Sequence, residues 1–270
     1  MQYEGKVAVI TGGASGIGRG TALAMARRGT DVVIADINDR RLAETQADIA
    51  TLGRRALAVH CDVAKDADVE RLGETALRAM GHVDILMNNA GVVLRGALEQ
   101  IPMADWEWSF DINCLGVIRG IRTFLPHMFE RGSGYIINTG SVAGLIALTG
   151  EGAPYVASKF AVVGLSEALA LYARPRGIGV SVLCPGSVDT NLSETERAVG
   201  MTPERALAEA ASTTFFHSVL MTPDQIGEIV VEAVQHERFF VLPDHHQQSI
   251  IVQRAQDMNA FLEARLNGQL

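Results

Sequence analysis

Seven short apolar runs alternate with longer amphipathic segments along the chain. Most runs are nearly continuous in hydrophobic residues, which is typical of parallel strands covered on both faces. They lie at residues 6–11, 31–36, 55–62, 84–89, 134–141, 179–186 and 238–243. Because the intervening segments are long enough for crossover helices, the pattern predicts an α/β protein. We expect a doubly wound, seven-stranded, mainly parallel sheet with helices on both faces.

Two of the predicted helices have recognisable ends. The first begins at Gly16 and stops at Gly29, a residue type common just after a helix, and the second runs over about residues 38–52. No Pro/Ser-rich linker and no internal repeat divides the chain. We therefore predict a single domain over residues 1–270.

Composition and charge narrow the classes of function. The chain is 48% hydrophobic and carries a net charge of −8, and an acidic surface disfavours nucleic acid and anionic membranes. No uninterrupted apolar run approaches the roughly 18–20 residues that span a bilayer, and the start lacks the pattern of a signal peptide. Cys61, Cys114 and Cys184 are far apart and lack metal-ligand spacing. We expect a cytoplasmic protein with reduced thiols and no metal, nucleic-acid or membrane partner.

The first apolar run ends in a glycine-rich turn, "VITGGASGIG", which contains Gly12, Gly16 and Gly18 with Ser15 and Ile17 between them. Glycine lets backbone N–H groups approach a pyrophosphate, and the N-terminus of the following helix adds partial positive charge. The spacing is GxxxGxG rather than the commoner GxGxxG. On its own, this sequence is also compatible with a glycine-rich turn that binds no ligand.

An acidic residue closes the second run, where a carboxylate can accept hydrogen bonds from both adenosine-ribose hydroxyls. This residue, Asp36, would repel a 2′-phosphate, so NAD is favoured over NADP, although Arg40 and Arg41 keep NADP as an alternative. At the end of the third run, Asp62 and Val63 are predicted adenine contacts. The alternative is that Asp62 caps the next helix.

Four motifs occur in a fixed order: "TGGASGIG", "NNAG", "YVASK" and "PGSVDT". With them, the chain resembles the short-chain dehydrogenase/reductase family over about residues 5–243. The resemblance implies a Rossmann-like fold and an NAD(P)-dependent oxidoreductase. It also implies that the "NNAG" motif ties strand ends together, with Asn89, Ala90 and Gly91 beside the cofactor.

The "YVASK" motif places Tyr155 and Lys159 one helical turn apart on the same face. A free tyrosine has a pKa near 10, and a cation about 4 Å away contributes up to about 4 kcal/mol at an effective dielectric of 20. We therefore expect Lys159 to lower the pKa of Tyr155. The resemblance assigns Tyr155 as general acid/base and Lys159 to the nicotinamide ribose. It assigns Ser141 to the substrate oxygen and Asn113 to a proton relay.

Each of these residues also has an ordinary structural interpretation. A lone serine or asparagine at an element boundary is often a helix cap, and a Tyr/Lys pair often lies on an exposed helix face. The occurrence of all four residues on one scaffold favours catalysis. After the sixth run, the resemblance implies that Pro185 and Gly186 shape the turn under the nicotinamide. It also implies that Val188 and Thr190 bind its carboxamide.

The substrate is predicted to lie against residues 187–222, a segment too long for an ordinary connection. Its apolar residues suit a lid over a hydrophobic substrate, and the alternative is two short core helices. These residues are Leu192, Val199, Met201, Phe215, Phe216, Val219 and Leu220. Residues 92–94 and 145–148 should add apolar walls, and Glu151 near the mouth should disfavour a bulky anion. We expect a neutral, largely apolar secondary alcohol or its ketone.

Residues 244–270 form a predicted helical tail with an apolar stripe of Ile251, Ala255, Met258, Leu262 and Leu266. This tail could pack on its own domain, contact a second subunit or cover the site. The resemblance implies a homo-oligomer, a tetramer or dimer paired through helices near 103–131 and 155–173. Other functions stay open: an NADPH-dependent carbonyl or 3-oxoacyl-thioester reductase, or, less favoured, a catalytically silent dinucleotide-binding regulator or an interaction protein.

Overall fold

The structure is a computed structural model that describes residues 2–147, 149–200 and 219–268. Its main sheet has seven strands, all of them parallel, and each corresponds to a predicted apolar run. The strands of the main sheet are β1 (Val7–Thr11), β2 (Asp31–Asp36), β3 (Ala56–His60), β4 (Ile85–Asn88), β6 (Gly134–Thr139), β7 (Ile178–Leu183) and β9 (Phe240–Val241). A separate small sheet consists of β5 (Leu94–Gly96) and β8 (Arg197–Val199).

The order of the main sheet is β3-β2-β1-β4-β6-β7-β9. Successive strands are thus added in one direction from β1 to β3 and in the opposite direction from β4 onward, so the strand order reverses between β1 and β4. In register, Ile10 of β1 lies between Ile34 of β2 and Met87 of β4. In an open parallel sheet, ligands bind outside the carboxyl ends of the strands at this reversal. The predicted α/β, doubly wound, Rossmann-like architecture is confirmed.

Helices cover both faces of the main sheet. Their bounds are α1 (Gly16–Ala26), α2 (Asp39–Thr51), α3 (Asp66–Met80), α4 (Met103–Phe110), α5 (Gly116–Arg131), α6 (Ala153–Ala173), α7 (Pro223–Gln235), α8 (Gln248–Gln256) and α9 (Met258–Leu266). Val7 and Val9 point into a core shared with α3, α5 and α6, whereas Ala8 and Ile10 point into a core shared with α1, α2 and α7. Both faces are therefore buried, which explains the continuous apolar runs.

The predicted helix ends are correct within a few residues. The first helix ends at Ala26, and Gly29 follows with a φ of +93°, a conformation that favours glycine. The second begins at Asp39 because Asn38 is its N-cap, accepting a hydrogen bond from the Arg41 N–H at 3.1 Å.

Two features near the carboxyl ends of the strands were not predicted. The short strand β5 pairs in parallel with β8, with Leu94 opposite Arg197, and so joins the chain after β4 to the segment after β7. Between α4 and α5, residues Asp111–Leu115 form a π-helical turn, a rare conformation often found at functional sites.

The predicted apolar stripe of the tail is only partly correct: Ile251 packs against the cluster of Ile146 and Phe261, but the residues after Asp257 do not follow the stripe. The tail is two helices broken at Asp257, whose carboxylate caps α9 by accepting from the N–H groups of Asn259 and Ala260. Phe261, only 6% exposed, is the residue that packs inward, against Ile146. Because the break changes the helical phase, the predicted residues Met258, Leu262 and Leu266 lie outward, 58%, 57% and 72% exposed.

One described helix, Ala153–Arg176, is long and apolar enough to cross a membrane by length and composition, with a mean hydropathy of 1.4. The sequence expectation concerned uninterrupted apolar runs, and Lys159 and Glu167 interrupt this helix, so the two statements do not conflict. The same helix contains α6, which buries Lys159 and Ser166 against the sheet and carries Tyr155. Core helices of soluble proteins pass the same test.

Candidate active site

A cleft of about 360 Å³ runs along the carboxyl ends of the strands. It is lined by every residue predicted to be catalytic or to bind the cofactor, except Gly18 and Asn113. The predicted residues that line it are Gly12, Ser15, Gly16, Ile17, Asp36, Asp62, Val63, Asn89, Ala90, Gly91, Ser141, Tyr155, Lys159, Pro185, Gly186, Val188 and Thr190. Elements distant in sequence thus converge on one cavity.

The turn after β1 needs glycine for steric reasons. Gly12 has a φ of +63°, and a Cβ there would lie 2.9 Å from the Ala90 Cα. A Cβ on Gly18 would lie 2.1 Å from the carbonyl oxygen of Gly12, closer than atoms can approach. Gly18 therefore lets α1 pack directly against the turn, and it lies behind the cleft wall rather than in it.

Ser15 is the N-cap of α1, and its side chain makes no capping hydrogen bond to the helix. Its backbone is extended, and it lines the cleft together with Gly16, the first residue of α1. The first N–H groups of a helix lack partners within the helix and carry partial positive charge. The N-terminus of α1 is therefore suited to bind an anionic group in the cleft.

The "NNAG" motif links three neighbouring strand ends. The N–H groups of Asn89 and Ala90 donate to the Thr11 Oγ1 at 2.9 and 3.2 Å, and the Asn89 Nδ2 donates to the Thr11 carbonyl at 3.1 Å. Thr139 at the end of β6 donates to the Asn89 Oδ1 at 3.3 Å. One amide thus joins β1, β4 and β6, in agreement with the structural role expected for the motif.

Asp36 is fixed by backbone hydrogen bonds from both sides. Its Oδ2 accepts from the Ala14 N–H at 3.2 Å and its Oδ1 from the Asn38 N–H at 3.0 Å. Of the two arginines considered for NADP, Arg40 pairs with Glu44 on the exposed side of α2 at 2.8 Å. Arg41 lines the cleft.

Asp62 lines the cleft but does not cap α3, so that alternative is wrong. Its carboxylate accepts from the Ala64 N–H at 3.1 Å in a local turn, and the N-cap of α3 is Lys65. The predicted adenine contacts of Asp62 and Val63 stay predictions.

Ser141, Tyr155 and Lys159 come together at the other end of the cleft. Ser141 follows β6, accepts from the Ala143 N–H at 3.1 Å and is hydrogen-bonded to the Tyr155 phenol. The Lys159 Nζ donates to the Thr139 carbonyl at 2.9 Å and lies 5.7 Å from the centre of the Tyr155 ring. The i, i+4 geometry therefore brings both side chains into one site.

The expected lowering of the Tyr155 pKa does not occur in this structure. Burial raises the pKa of the Tyr155 phenol, and the hydrogen bond from Ser141 and the charge of Arg95 offset this only in part. Burial also lowers the pKa of Lys159 from 10.5 to about 8. The sequence estimate counted the attraction between the two groups and neglected the desolvation of each, which dominates here.

Asn113 is almost fully buried and comes from the π-helical turn. Its amide holds the backbone of Val92 from both sides: the Val92 N–H donates to Oδ1 at 2.8 Å, and Nδ2 donates to the Val92 carbonyl at 3.0 Å. Nδ2 also donates to the Ser158 Oγ at 3.0 Å. The side chain thus positions the wall of the cleft, and its part in a proton relay stays a prediction.

The turn after β7 passes over the glycine turn. The Pro185 carbonyl accepts from the Val142 N–H at 3.0 Å, and Val188 forms a parallel bridge with Met221. Thr190 caps a 3₁₀ turn, Asn191–Thr195, by accepting from the Leu192 N–H at 3.3 Å. Its methyl group lies 3.0 Å from where a Cβ on Gly16 would be.

The predicted substrate walls are only partly in the cleft. Val92 and Leu192 line it, whereas Leu94 is buried in the small sheet and Val219 and Leu220 are exposed. Glu151 does not line the cleft; its backbone carbonyl accepts from the Gly96 N–H at 2.9 Å. Leu148, Met201, Phe215 and Phe216 lie outside the described residues.

Several cleft residues were not assigned to the site from the sequence. They are Ile37, Asn38, Arg41, Cys61, Ile112, Thr139, Gly140, Asn191, Glu194 and Thr195. Ile37 and Asn38 could have been found because they directly follow Asp36 at a strand end. The 3₁₀ turn with Glu194 gave no such signal, because its place depends on contacts with distant elements.

Comparison with known proteins gives a consistent result. A model of the short chain dehydrogenase family matches residues 6–199. The 3beta-hydroxysteroid dehydrogenase 2 of Eggerthella lenta is 37% identical over 228 residues, which cover 83% of this chain and 85% of that protein. The 3-alpha-(or 20-beta)-hydroxysteroid dehydrogenase of Mycobacterium tuberculosis is 40% identical over 193 residues, 70% of this chain and 72% of that protein.

Among solved structures, a short chain dehydrogenase/reductase from Burkholderia phymatum in complex with NAD superimposes with a TM-score of 0.88. It is 33% identical in sequence, and the match covers 96% of each chain.

Proposed function

Because this chain belongs to the short-chain dehydrogenase/reductase family, we propose that it is an NAD-dependent enzyme that interconverts a largely apolar secondary alcohol and its ketone. The observation that carries this proposal is the convergence of Ser141, Tyr155 and Lys159 in one cleft. The other end of the same cleft holds Asp36 and the glycine turn.

The residues present fit a dinucleotide. The turn at Gly12 leaves no room for a side chain, and the N-terminus of α1 would hold the pyrophosphate. Asp36 would accept from the adenosine ribose, Lys159 would bind the nicotinamide ribose, and Thr190 with Val188 would bind the carboxamide. When bound, the nicotinamide accepts or supplies the hydride.

Tyr155 exchanges the proton in this proposal. Because burial raises its pKa, the phenol stays protonated at neutral pH and is suited to donate a proton to a ketone oxygen. Oxidation of the alcohol requires the phenolate, so its rate should rise from pH 7 toward pH 10. Ser141 is hydrogen-bonded to the phenol, and its single hydroxyl proton can be donated either to the phenol oxygen or to the substrate oxygen.

The charge near Asp36 supports NAD rather than NADP. The carboxylate lies at the adenosine end of the proposed site, where it would repel a 2′-phosphate. We expect Asp36→Ala to shift the NADP/NAD ratio of kcat/KM upward by about tenfold or more, since juxtaposed like charges cost several kcal/mol. An unchanged ratio would contradict the cofactor assignment.

The proposed substrate class rests on the cleft wall and on the relatives. Val92, Ile112 and Leu192 are apolar residues that line the cleft. The two relatives named above are hydroxysteroid dehydrogenases by name. A polycyclic, steroid-like secondary alcohol is therefore the first substrate to test.

The test is the absorbance at 340 nm with NAD or NADP and a panel of hydroxysteroids, terpenoid alcohols and aryl alcohols. We expect turnover with NAD on at least one of them and a fall of about 10³-fold in kcat for Tyr155→Phe. Tyr172→Phe is the matched control, because Tyr172 lies exposed on the same helix. If Tyr155→Phe keeps wild-type rates, the assignment of the acid/base is wrong.

An NADPH-dependent carbonyl or 3-oxoacyl-thioester reductase is the alternative, favoured by the position of Arg41 in the cleft. It predicts a wild-type preference for NADPH and turnover of an acyl thioester. Within the family-level proposal we also expect a homo-oligomer, a dimer or tetramer. Exposed Leu171 and Tyr172 on α6 would lie in its interface, and light scattering would measure its mass.

A further inference from the structure

An ion pair crosses the cleft at its adenosine end. The Arg41 Nη2 lies 2.9 Å from the Glu194 Oε1. Arg41 is in the first turn of α2, which begins three residues after Asp36 at the end of β2, whereas Glu194 is on the 3₁₀ turn of the segment after β7. All three side chains line the cleft.

Glu194 is held in this position by more than one group. Its carboxylate also accepts a hydrogen bond from Asn191, and both Arg41 and Arg40 attract it. The pair is partly open to solvent, with Arg41 24% and Glu194 56% exposed. Such a pair contributes little to stability, so its position in a binding cleft calls for a functional interpretation.

Arg41 is the cleft-lining arginine closest in sequence to Asp36, and an arginine there is suited to bind a 2′-phosphate by two parallel hydrogen bonds. Glu194 occupies one of its donor nitrogens and neutralises its charge. We infer that Glu194 is a positioning residue for cofactor choice: it holds Arg41 away from the 2′-position and so excludes NADP together with Asp36. This inference rests on the proposed dinucleotide function.

It extends that function because it assigns cofactor discrimination to two separate parts of the chain. Asp36 acts by direct repulsion from the end of β2. Glu194 acts through Arg41 from the segment that also carries Thr190 and Leu192. A change in the substrate segment would then change the choice between NAD and NADP.

The test measures binding rather than turnover. Isothermal titration of the full-length protein with 5′-AMP and with adenosine 2′,5′-bisphosphate gives a ratio of two affinities. We expect Glu194→Gln, which removes the charge and keeps the shape, to shift this ratio toward the bisphosphate by about threefold to tenfold. The gain should shrink at 0.5 M salt because the pair is exposed.

Two further variants separate this effect from a structural one. Glu194→Asp keeps the charge and should stay within about twofold of the wild-type ratio. In Glu194→Gln/Arg41→Gln the gain should disappear, because Arg41 is the group that Glu194 restrains. A gain that persists in the double variant would overturn the inference.

The outcomes also distinguish the inference from the proposed function. If the wild-type protein binds 5′-AMP but Glu194→Gln leaves the ratio unchanged, the inference fails alone. If the wild-type protein binds neither nucleotide, the proposed function fails and the inference fails with it.

Discussion

The turn after β1 and the segment after β7 face each other across the cleft, and they are held by different kinds of interaction. At the turn, Thr11, Asn89 and Thr139 exchange hydrogen bonds between buried or half-buried groups and the backbone. In the facing segment, Glu196 pairs with Arg95 at 2.9 Å and Arg197 with Asp105 at 2.6 Å, at or near the surface.

The difference has a direct energetic meaning. Breaking a buried hydrogen bond leaves an unsatisfied polar group that costs about 1–3 kcal/mol, whereas an exposed ion pair contributes about 0–1 kcal/mol. The side of the cleft with the glycine turn, which the proposed function assigns to the cofactor (the cofactor side), is therefore expensive to alter. The facing segment, which it assigns to the substrate (the substrate side), can change with little loss of stability. This arrangement suits the proposed function, in which the turn binds the cofactor and the facing segment contacts the substrate.

The largest expected effect is on the cofactor side. A Cβ in Gly18→Ala would lie 2.1 Å from the carbonyl oxygen of Gly12, so the backbone of the turn or of α1 must move. We expect a loss of about 3 kcal/mol in the free energy of unfolding, measured in urea, together with loss of NAD binding.

The matched control is Gly164→Ala, inside α6. A Cβ on Gly164 meets nothing within 4 Å, and alanine is the better helix former. This variant should gain up to about 1 kcal/mol. Equal losses in both variants would mean that the close approach at Gly18 is not the cause.

The next effect has the opposite sign. Lys159→Met should be inactive but more stable than the wild type at pH 7, by about 2 kcal/mol, because it removes a buried charge at the loss of one hydrogen bond to Thr139. The pKa of Lys159 is about 8 in the folded chain and is near 10.5 when exposed. The unfolded chain therefore binds more protons between these values, and wild-type stability rises relative to the variant from pH 8 to 10.

Urea unfolding at pH 7 and pH 9.5 measures this difference. Most of the advantage of Lys159→Met should be gone at pH 9.5. Lys65→Met is the control for the loss of a lysine as such, because the Lys65 side chain is 66% exposed and its replacement removes no buried charge. An advantage that is independent of pH would mean that packing, and not charge burial, separates Lys159→Met from the wild type.

The same contrast explains what the sequence could predict. The seven strands follow from local apolar runs, and the cleft residues Gly12, Asp36 and Asn89 follow from their places at strand ends. The pairing of β5 with β8 depends on residues about 100 positions apart, so no local pattern indicates it.

Two further misses have similar causes. The break at Asp257 was missed because helical periodicity was extended through a residue that prefers to cap a helix. The raised pKa of Tyr155 depends on how much protein surrounds the phenol, and a sequence does not give that quantity.

A smaller effect is expected in the tail. Phe261 is the buried residue of α9, and it packs on Ile146 in the loop that follows Ser141. Because this cluster is small and separate from the main core, Phe261→Ala should cost about 1–2 kcal/mol and act locally. Hydrogen exchange should increase in α8, α9 and residues 142–147, with little change in β1.

The control for the tail is Leu262→Ala, because the Leu262 side chain is mostly exposed. It should leave exchange unchanged in a monomeric chain. If Leu262→Ala increases exchange as much as Phe261→Ala does, the outward face of α9 is covered in solution and the tail contacts another subunit.

The smallest effect on stability is expected in the substrate segment. Arg197 pairs with Asp105 and stacks on the Trp108 ring at 3.7 Å, so it fastens β8 to α4 from the surface. Arg197→Gln should cost no more than about 1 kcal/mol in unfolding. Because β8 continues from the turn with Leu192, the KM for the alcohol should rise severalfold while the Kd for NAD stays within about twofold.

Arg176→Gln, which loses a comparable stacking on Tyr172 at the opposite end of the sheet, should change neither constant. Equal changes in KM and in Kd for Arg197→Gln would mean that the two sides of the cleft are mechanically one unit, and the contrast between them would be wrong.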